Sequence, residues 1–413
     1  MKRVLLLGAD LRSVNNGINA LTLGTLTALA CRYSDGFHVD ILNLGGSAEY
    51  EDKLVVQGVP VTVKKHKPYG KSLLQAVFLG SLIRYMPNKK AKVNFKKNNR
   101  LVSIVSSADF AIDLSEGDSF SDIYGNKRFF IHFLYKMLPG ISGIPLFMFP
   151  QTIGPFSNKS TRFLAKRALD QAKIVFTREP LSTQIAKHLM SDRNRLIEAS
   201  DMAFLMEPMP IKTLPEEVVS EGYVGVNISG LLFYRDKSEQ LRWTPSLYQN
   251  FMREVIKGFI LKYKRQVVIV PHVFTQGSIK HEDDQQASHD LFQQFDQDLR
   301  DKIYILDQKM DAQKLKYIIS QSDFFVGARM HACIAAISSL VPTVPVSYSH
   351  KFEGVLQQLG LENTICSPKR QSGTGEMLKH VWSQYENREL LHNQLVRAVP
   401  DAKSRALSSV SFL

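Results

Sequence analysis

The chain has 413 residues, 44% hydrophobic and 22% charged. That composition excludes collagen-like, coiled-coil and disordered chains, and the length is too great for a single core. Its 52 Lys and Arg against 39 Asp and Glu leave a formal charge of +13, which suits an anionic partner: nucleic acid, an anionic membrane surface or an anionic small substrate. No helix-turn-helix, zinc-finger or aromatic RNA-platform pattern is evident, which sets nucleic acid aside. No apolar run reaches the roughly 18 residues of a spanning helix. The start, Met1-Lys-Arg-Val-Leu-Leu-Leu-Gly8, has too short an apolar stretch for a signal peptide, and Asp10 follows without a small-residue cleavage site. Cys31, Cys333 and Cys366 are far apart and odd in number, fitting neither a disulfide framework nor a zinc site and favouring the cytoplasm.

Short β-branched or leucine-rich runs alternate with amphipathic stretches, the pattern of an α/β protein with parallel sheets. Strands are expected at Val4–Leu7, His38–Leu42, Val61–Val63, Phe110–Asp113, Pro145–Phe149 and Ile174–Thr177, with helices notably at Ala20–Ala30, Lys71–Tyr85 and Thr161–Ala172. A Pro-punctuated acidic segment from Glu207 to Glu217 is the linker candidate. The rhythm then restarts: strand Tyr223–Ile228, helix Ser246–Tyr263, strands Gln266–Val270 and Lys302–Leu306, helix Ala312–Ser320, strand Phe324–Val326. The resulting division is an N-terminal Rossmann-like lobe (1–206), a linker (207–220), a C-terminal Rossmann-like lobe (221–375) and a helical segment (376–413) expected to pack back, with a central cleft between the lobes.

The strongest local signal runs from Ser322 to Leu340. A buried strand ends at Gly327 and a helix begins near Met330, so Arg329 and His331 lie where free N–H groups and the positive dipole end suit phosphate or carboxylate; ordinary surface contacts are the alternative. Arg178 repeats the arrangement after strand Ile174–Thr177 and is a plausible second guanidinium for a bifunctional anion. The loop Phe149–Phe156 displays Gln151 and Thr152 as cleft-lining candidates. His272, with His281, Asp283 and Asp284, matches no strong metal-ligand spacing, and no metal is expected. In the acidic loop Asp113–Asp122, Glu116 and Asp118 are acid/base candidates, with polar filler as the alternative. The apolar segment Ser72–Met86 runs into Arg84, Lys89, Lys90, Lys92, Lys96, Lys97 and Arg100. It reads equally as a helix docking on anionic lipid or as a helix followed by a solvated basic loop.

Six stretches occur in order: Pro150-Gln-Thr-Ile-Gly-Pro155, Thr177-Arg-Glu179 with Ser182, Ser200-Asp-Met-Ala-Phe204, Pro271-His272, Gly327-Ala-Arg-Met-His331 and Ser347-Tyr-Ser-His-Lys351. Together they resemble the polysaccharide pyruvyl transferase family, over roughly Gly8 to Gly360. The resemblance implies a GT-B-like fold of two Rossmann-type lobes and transfer of a pyruvyl group from phosphoenolpyruvate to sugar hydroxyls as a ketal. It further implies phosphoenolpyruvate held by Arg178, Arg329 and His331, with backbone contacts at Met330 and Lys351 near the same anionic site. Two loops depart from the family's pattern, Gly8–Asn19 and Ser115–Asp118; both fall where the acceptor is expected, which leaves acceptor identity open.

The catalytic candidates are therefore His331, Arg329, Glu116 and Asp118, and the substrate-binding candidates Arg178, Arg329, Met330, His331, Lys351, Gln151, Thr152 and His272. No cofactor is called for, phosphoenolpyruvate being the donor substrate. Expected partners are phosphoenolpyruvate, a sugar or lipid-linked glycan acceptor and a peripheral contact at the inner membrane face. The enzymatic alternative is a nucleotide-sugar glycosyltransferase, because one fold hosts both chemistries; a non-catalytic membrane scaffold is the remaining reading.

Overall fold

The computed structural model describes residues 1–85, 89–236, 242–275, 277 and 279–413; the side chains at 84, 85, 89, 91, 92 and 280 lie outside that description. The described chain separates into two compact units. Unit 1 comprises Met1–Ser13, Leu21–Leu205 and Ser404–Leu413; unit 2 comprises Val14–Ala20 and Met206–Lys403.

Unit 1 is built on an eight-stranded sheet: β1 (Lys2–Leu7), β2 (Phe37–Leu42), β3 (Tyr50–Val56), β4 (Val59–His66), β5 (Phe110–Asp113), β6 (Leu146–Gln151), β7 (Ile174–Thr177) and β8 (Leu196–Glu198). Their order across the sheet is β3-β4-β2-β1-β5-β6-β7-β8. The pairs from β4 to β8 are parallel, and β1 pairs with β2 and β5 on its two sides. Val4 to Leu7 are fully buried, as a parallel strand covered on both faces requires, which is why it reads as a continuous apolar run. The exception is β3, antiparallel to β4 at the edge, joined to it by Gln57 and Gly58, both at positive φ, as a tight hairpin turn requires.

Unit 2 carries a five-stranded sheet, all parallel, in the order β11-β10-β9-β12-β13. Its strands are β9 (Tyr223–Asn227), β10 (Gln266–Ile269), β11 (Ile303–Ile305), β12 (Phe324–Gly327) and β13 (Thr343–Pro345). The helix Pro245–Leu261 packs its buried face (Tyr248, Phe251, Met252, Val255, Ile256, Phe259) into the core of this unit, where Phe259, Trp382 and Tyr385 meet edge to face.

The partition differs from the sequence expectation in two places. The short segment Val14–Ala20 belongs with unit 2 although the rest of the N-terminal region builds unit 1. Residues 207–220 are not a free tether: Met209 N donates to Gln313 O, the Thr213 carbonyl accepts from Tyr304, and Glu216–Ser220 forms a short helix. The C-terminal helix Arg388–Ser408 changes unit near its end, and beyond it Phe412 packs on Phe176 while Arg32 donates to Leu413 O.

The helix Asn16–Arg32 meets the backbone of Met202 at Gly24, where an added Cβ would run into the Met202 carbonyl. Gly24→Ala is expected to cost about 1–3 kcal/mol by overpacking, read as a lower thermal midpoint. A midpoint equal to the wild type would show that this approach is not held tightly.

Candidate active site

In a parallel sheet, ligands bind outside the carboxyl ends of the strands at the point where strand order reverses. In unit 2 the chain runs from β9 to β10 and β11 on one side, then to β12 and β13 on the other, so the loops after β9 and β12 diverge there. Arg329 lies in the second loop, and its backbone N–H donates to Asn227 Oδ1 at the end of β9 (2.8 Å).

Arg329 is also the N-cap of the helix Met330–Ser338, whose first turn has no side-chain cap. Orphan N–H groups and the positive dipole end therefore point from that turn. The Arg329 guanidinium is not aimed freely at a ligand. Its Nε and Nη2 donate to Asp284 at 3.0 and 2.8 Å, and Nη2 also to Glu282 O at 2.9 Å. What it can present to an anion is confined to Nη1. Burial works against its charge, but the Asp284 carboxylate more than offsets this and raises its pKa. Asp284, itself fully buried, accepts further from the backbone N–H groups of Gly230 (2.9 Å), His272 (3.2 Å) and Val273 (3.1 Å).

His331, one residue into the helix, is half-buried. The segment Val14–Ala20 closes on it: Asn16 N donates to His272 O, Phe274 N to Val14 O, and a Cβ on Gly17 would collide with the His331 ring. His272 is buried, and its pKa is lowered to about 3, first by burial and then by the nearby His331 and Arg329. It is a neutral imidazole at pH 7, able to donate or accept one hydrogen bond but not to supply charge. Met330 is half-buried, as is Lys351 in the neighbouring helix His350–Gln357, which Ser349 caps. Asp283, grouped in sequence with His272 and His281, is instead a helix cap, accepting from Gln285 N, Gln286 N and Thr275. His281 meets Arg235.

The reversal in unit 1 falls between β1 and β5. Gly8, at φ 62°, ends β1, and a Cβ there would lie 2.9 Å from Ser115 Cα; its carbonyl accepts from Glu116 N (2.8 Å). Ser115 and Glu116 are held in the left-handed region (φ 46° and 52°), a conformation that costs of order 1–2 kcal/mol and persists only where its surroundings impose it. Around them, Glu116 N is bonded to Gly8 O and Gly117 N to Leu114 O, and Lys136 Nζ lies 2.6 Å from Ser115 Oγ and 3.0 Å from Asp113.

The Glu116 carboxylate accepts from Arg128 Nη2 (2.6 Å), Asn43 Nδ2 (3.1 Å) and Ser119 Oγ (3.1 Å), with His132 Nε2 3.8 Å away. Burial alone would raise its pKa, but His132, Arg128 and Asn43 together hold it below the usual carboxylate range. Of the two roles the sequence leaves open for Glu116, acid or base, a lowered pKa favours the ionised form and so a base or hydroxyl acceptor. Burial lowers His132 to about 4 despite Glu116 beside it, so Arg128 is the charged partner. Asp118, half-buried, accepts from Tyr124 Oη at 2.5 Å.

Two further expectations change. Gln151 does not line an open surface; it is fully buried, its Nε2 donating to Asp113 O and Oδ2, both at 2.9 Å. Thr152 is likewise buried, and its hydroxyl accepts from Arg178 Nε (3.1 Å). Arg178 is 1% exposed and paired with Asp201 at 2.7 Å, so the guanidinium expected to grip an anion is largely committed inside unit 1. Glu179 caps the helix Pro180–Leu189 through Ser182 N, and Ser182 Oγ accepts from Ile153 N. The residues missed from sequence are Asp284 as an organiser, Asn227, Gly17, Lys136, Arg128 and His132. An Asn or Gly directly after a buried apolar run was the available signal for the first of the strand-end groups.

Two outcomes are expected. Asp284→Asn leaves a buried guanidinium without its counter-charge and should cost about 3–5 kcal/mol in urea unfolding; a loss below about 1 kcal/mol would show the pair to be dispensable. For His272 and His132 the folded pKa lies below the unfolded value of about 6.5. The unfolded chain therefore binds protons that the folded chain refuses, and stability falls as pH drops from about 6.5 toward 4, by up to about 1.4 kcal/mol per pH unit for each histidine. His272→Gln should flatten that acid limb, measured as thermal midpoint against pH, and an unchanged slope would contradict its neutral burial.

Comparison with known proteins gives the family and the fold. The polysaccharide pyruvyl transferase family model matches residues 17–350. The amylovoran biosynthesis protein AmsJ of Erwinia amylovora is 22% identical over 287 residues, 68% of this chain and 67% of that protein. Among solved structures, the α,α-trehalose 6-phosphate synthase of Burkholderia multivorans is similar at TM-score 0.55 and 11% identity, covering 100% of this chain and 98% of that one. Anabaena Alr3699/HepE in complex with UDP-glucose is similar at TM-score 0.55 and 12% identity, covering 100% of both chains. These likenesses show the fold, which is GT-B. The match over residues 17–350 shows more: the chain belongs to the polysaccharide pyruvyl transferase family, whose members act as transferases in polysaccharide biosynthesis.

Proposed function

We propose that the protein transfers the pyruvyl group of phosphoenolpyruvate onto two hydroxyls of a sugar in a polysaccharide or its lipid-linked precursor, forming a ketal and releasing phosphate. The observation that carries this is the uncapped N-terminus of the helix Met330–Ser338 at the strand-order reversal of unit 2, with Arg329 and His331 at its first turn. Orphan N–H groups, a dipole end and a half-buried imidazole make a site for a compact anion. Phosphoenolpyruvate offers both a phosphate and a carboxylate to it.

In the reaction, a proton adds to the methylene carbon and the adjacent carbon becomes oxocarbenium-like. One sugar hydroxyl attacks that carbon, the bond to the phosphate oxygen breaks, and the second hydroxyl closes the ketal. Of the two hydroxyl protons, one balances that on the new methyl group and the other leaves with phosphate. His331 binds the phosphate and assists its departure. Glu116, ionised and held rigidly, accepts a hydroxyl proton. Arg329 serves mainly by fixing the helix start, since Asp284 engages most of its guanidinium. Asp118, Met330 and Lys351 remain candidates for acceptor or donor contacts, and the cytoplasm, at or near the inner membrane face, is the proposed location.

Calorimetric titration separates this from the glycosyltransferase reading. Wild type should bind phosphoenolpyruvate, and His331→Ala should bind it at least about tenfold more weakly, the loss of one charge-assisted hydrogen bond. His331→Ala is a cleaner probe than Arg329→Ala, which would strand the buried Asp284 charge. Binding of uridine diphosphate without phosphoenolpyruvate would instead favour transfer of a whole sugar, and product mass would then show a hexose.

Glu116→Gln should leave phosphoenolpyruvate affinity unchanged and lower phosphate release with acceptor by about 10²–10⁴-fold, the range for a lost general base. Turnover at the wild-type level would remove Glu116 from the mechanism.

A further inference from the structure

The helix Gly70–Tyr85 is apolar on both faces, and the protein covers only one of them. Leu73, Ala76 and Val77 are buried in the unit 1 core, where this helix packs on Asn126–Ser142. On the opposite side Leu74, Phe78, Leu79 and Leu82 are 43–62% exposed, and Tyr69, just before the helix, is 84% exposed. Positions i, i+4, i+5 and i+8 share one helical face, so these four side chains form a continuous outward stripe. Val93, in the next helix (Lys89–Asn98), adds a further exposed apolar side chain. An apolar stripe of this kind on a helix face signals a surface that something else covers.

The charge around it names the chemistry. Between Asp52 and Asp109 the sequence has no acidic residue, and these 56 positions carry 12 Lys and Arg, nearly the whole net charge of the chain. Lys71, Lys90 and Lys97 are exposed. Lys65 is buried against Asp10, Lys64 pairs with Glu51, and Arg100 with Glu49. The side chains of Arg84, Lys89 and Lys92 lie outside the described residues. No helix among the described residues is long and apolar enough to cross a membrane. A protein partner complementary to the basic residues alone would leave the phenylalanine and leucines in water, and nucleic acid would do the same. A bilayer surface with anionic headgroups takes both at once, leucines and phenylalanine into the acyl boundary and lysines against phosphate.

We propose that the outer face of Gly70–Tyr85, with the lysines that flank it, docks unit 1 on the surface of an anionic lipid bilayer. The docking is peripheral and reversible, and it stands independently of the donor and acceptor chemistry above.

The test is co-sedimentation of the full-length protein with vesicles of phosphatidylcholine alone and of phosphatidylcholine with about one-third phosphatidylglycerol. Wild type is expected to partition onto the mixed vesicles at least about tenfold more strongly, and high salt should release it. Lys90→Gln with Lys97→Gln should weaken partitioning about fivefold per charge, the effect of one basic residue near an anionic surface. Phe78→Ser with Leu82→Ser should weaken it comparably while leaving the charge intact. All four positions are exposed, so the thermal midpoint should not move, which separates loss of docking from loss of fold. Equal binding to both vesicle types, or mixed-vesicle binding that both double variants retain, would overturn the proposal. So would a wild-type dimer in sedimentation velocity that Phe78→Ser with Leu82→Ser converts to monomer without changing vesicle binding, for the stripe would then be a contact between two copies.

Discussion

Much of unit 2 depends on one buried ion pair. The Asp284 carboxylate, out of reach of solvent, gathers Arg329 and the backbone N–H groups of Gly230, His272 and Val273. It thereby ties the loops after β9, β10 and β12 to one anionic centre. Two charges out of water gain little net stability even when well paired, but removing one is expensive. Such a pair is better understood as fixing an arrangement than as a source of stability. Because Arg329 is the residue from which the helix Met330–Ser338 departs, fixing its guanidinium also fixes where the uncapped first turn points. The arginine that sequence spacing marks as an anion clamp is thus mostly a strut, and the backbone it orients is the better anion ligand.

The fold was legible wherever burial on two faces forced a continuous apolar run. β1, β5, β9, β10 and β12 stand out in the sequence for that reason, and their alternation with helices gives the parallel architecture. β3 was not legible: its exposure alternates along Tyr50–Val56, and as an antiparallel edge it carries Glu51, Asp52 and Lys53 where a central strand would carry aliphatics. β8 is only partly buried and ends in Glu198, and β13 ends in Pro345, so neither stands out as an apolar run. The helix Asn126–Ser142 contains Pro139 and Gly140, residues that argue against a helix locally and are overruled by its packing on Gly70–Tyr85 and Lys159–Gln171. The passage of Val14–Ala20 into unit 2 depends on hydrogen bonds to residues some 250 positions away, such as Asn16 to His272, and no local pattern encodes that.

The candidate sites were legible as places and much less as roles. Gly327–His331 and the Asp113–Asp118 loop fall at the two strand-order reversals, because an apolar run followed by small and polar residues marks a strand's carboxyl end. Which side chains face a ligand there is decided by partners distant in sequence. Gln151 turns inward because Asp113, 38 positions earlier, needs a donor. Arg178 is drawn inward by Asp201 and Thr152. The ionisation state of Glu116 could not be read without Arg128 and Asn43 beside it, and these favour the base over the acid among the two roles its sequence leaves open.

The same pairing changes what the net charge means. At the carboxyl edge of the unit 1 sheet the buried charges cancel in pairs: Asp10 with Lys65, Asp113 with Lys136, Arg178 with Asp201. In unit 2, Arg329 is cancelled by Asp284. An anion brought to these edges would meet oriented dipoles and neutral imidazole more than free cations, which would suit the phosphate release proposed above. Lys65 apart, the excess of +13 is concentrated between Asp52 and Asp109 around a helix whose outer face is apolar. Composition alone cannot distinguish a basic active site from a basic surface. Here burial does: the four buried pairs cancel, while exposed side chains such as Lys71, Lys90 and Lys97 keep their charge in water.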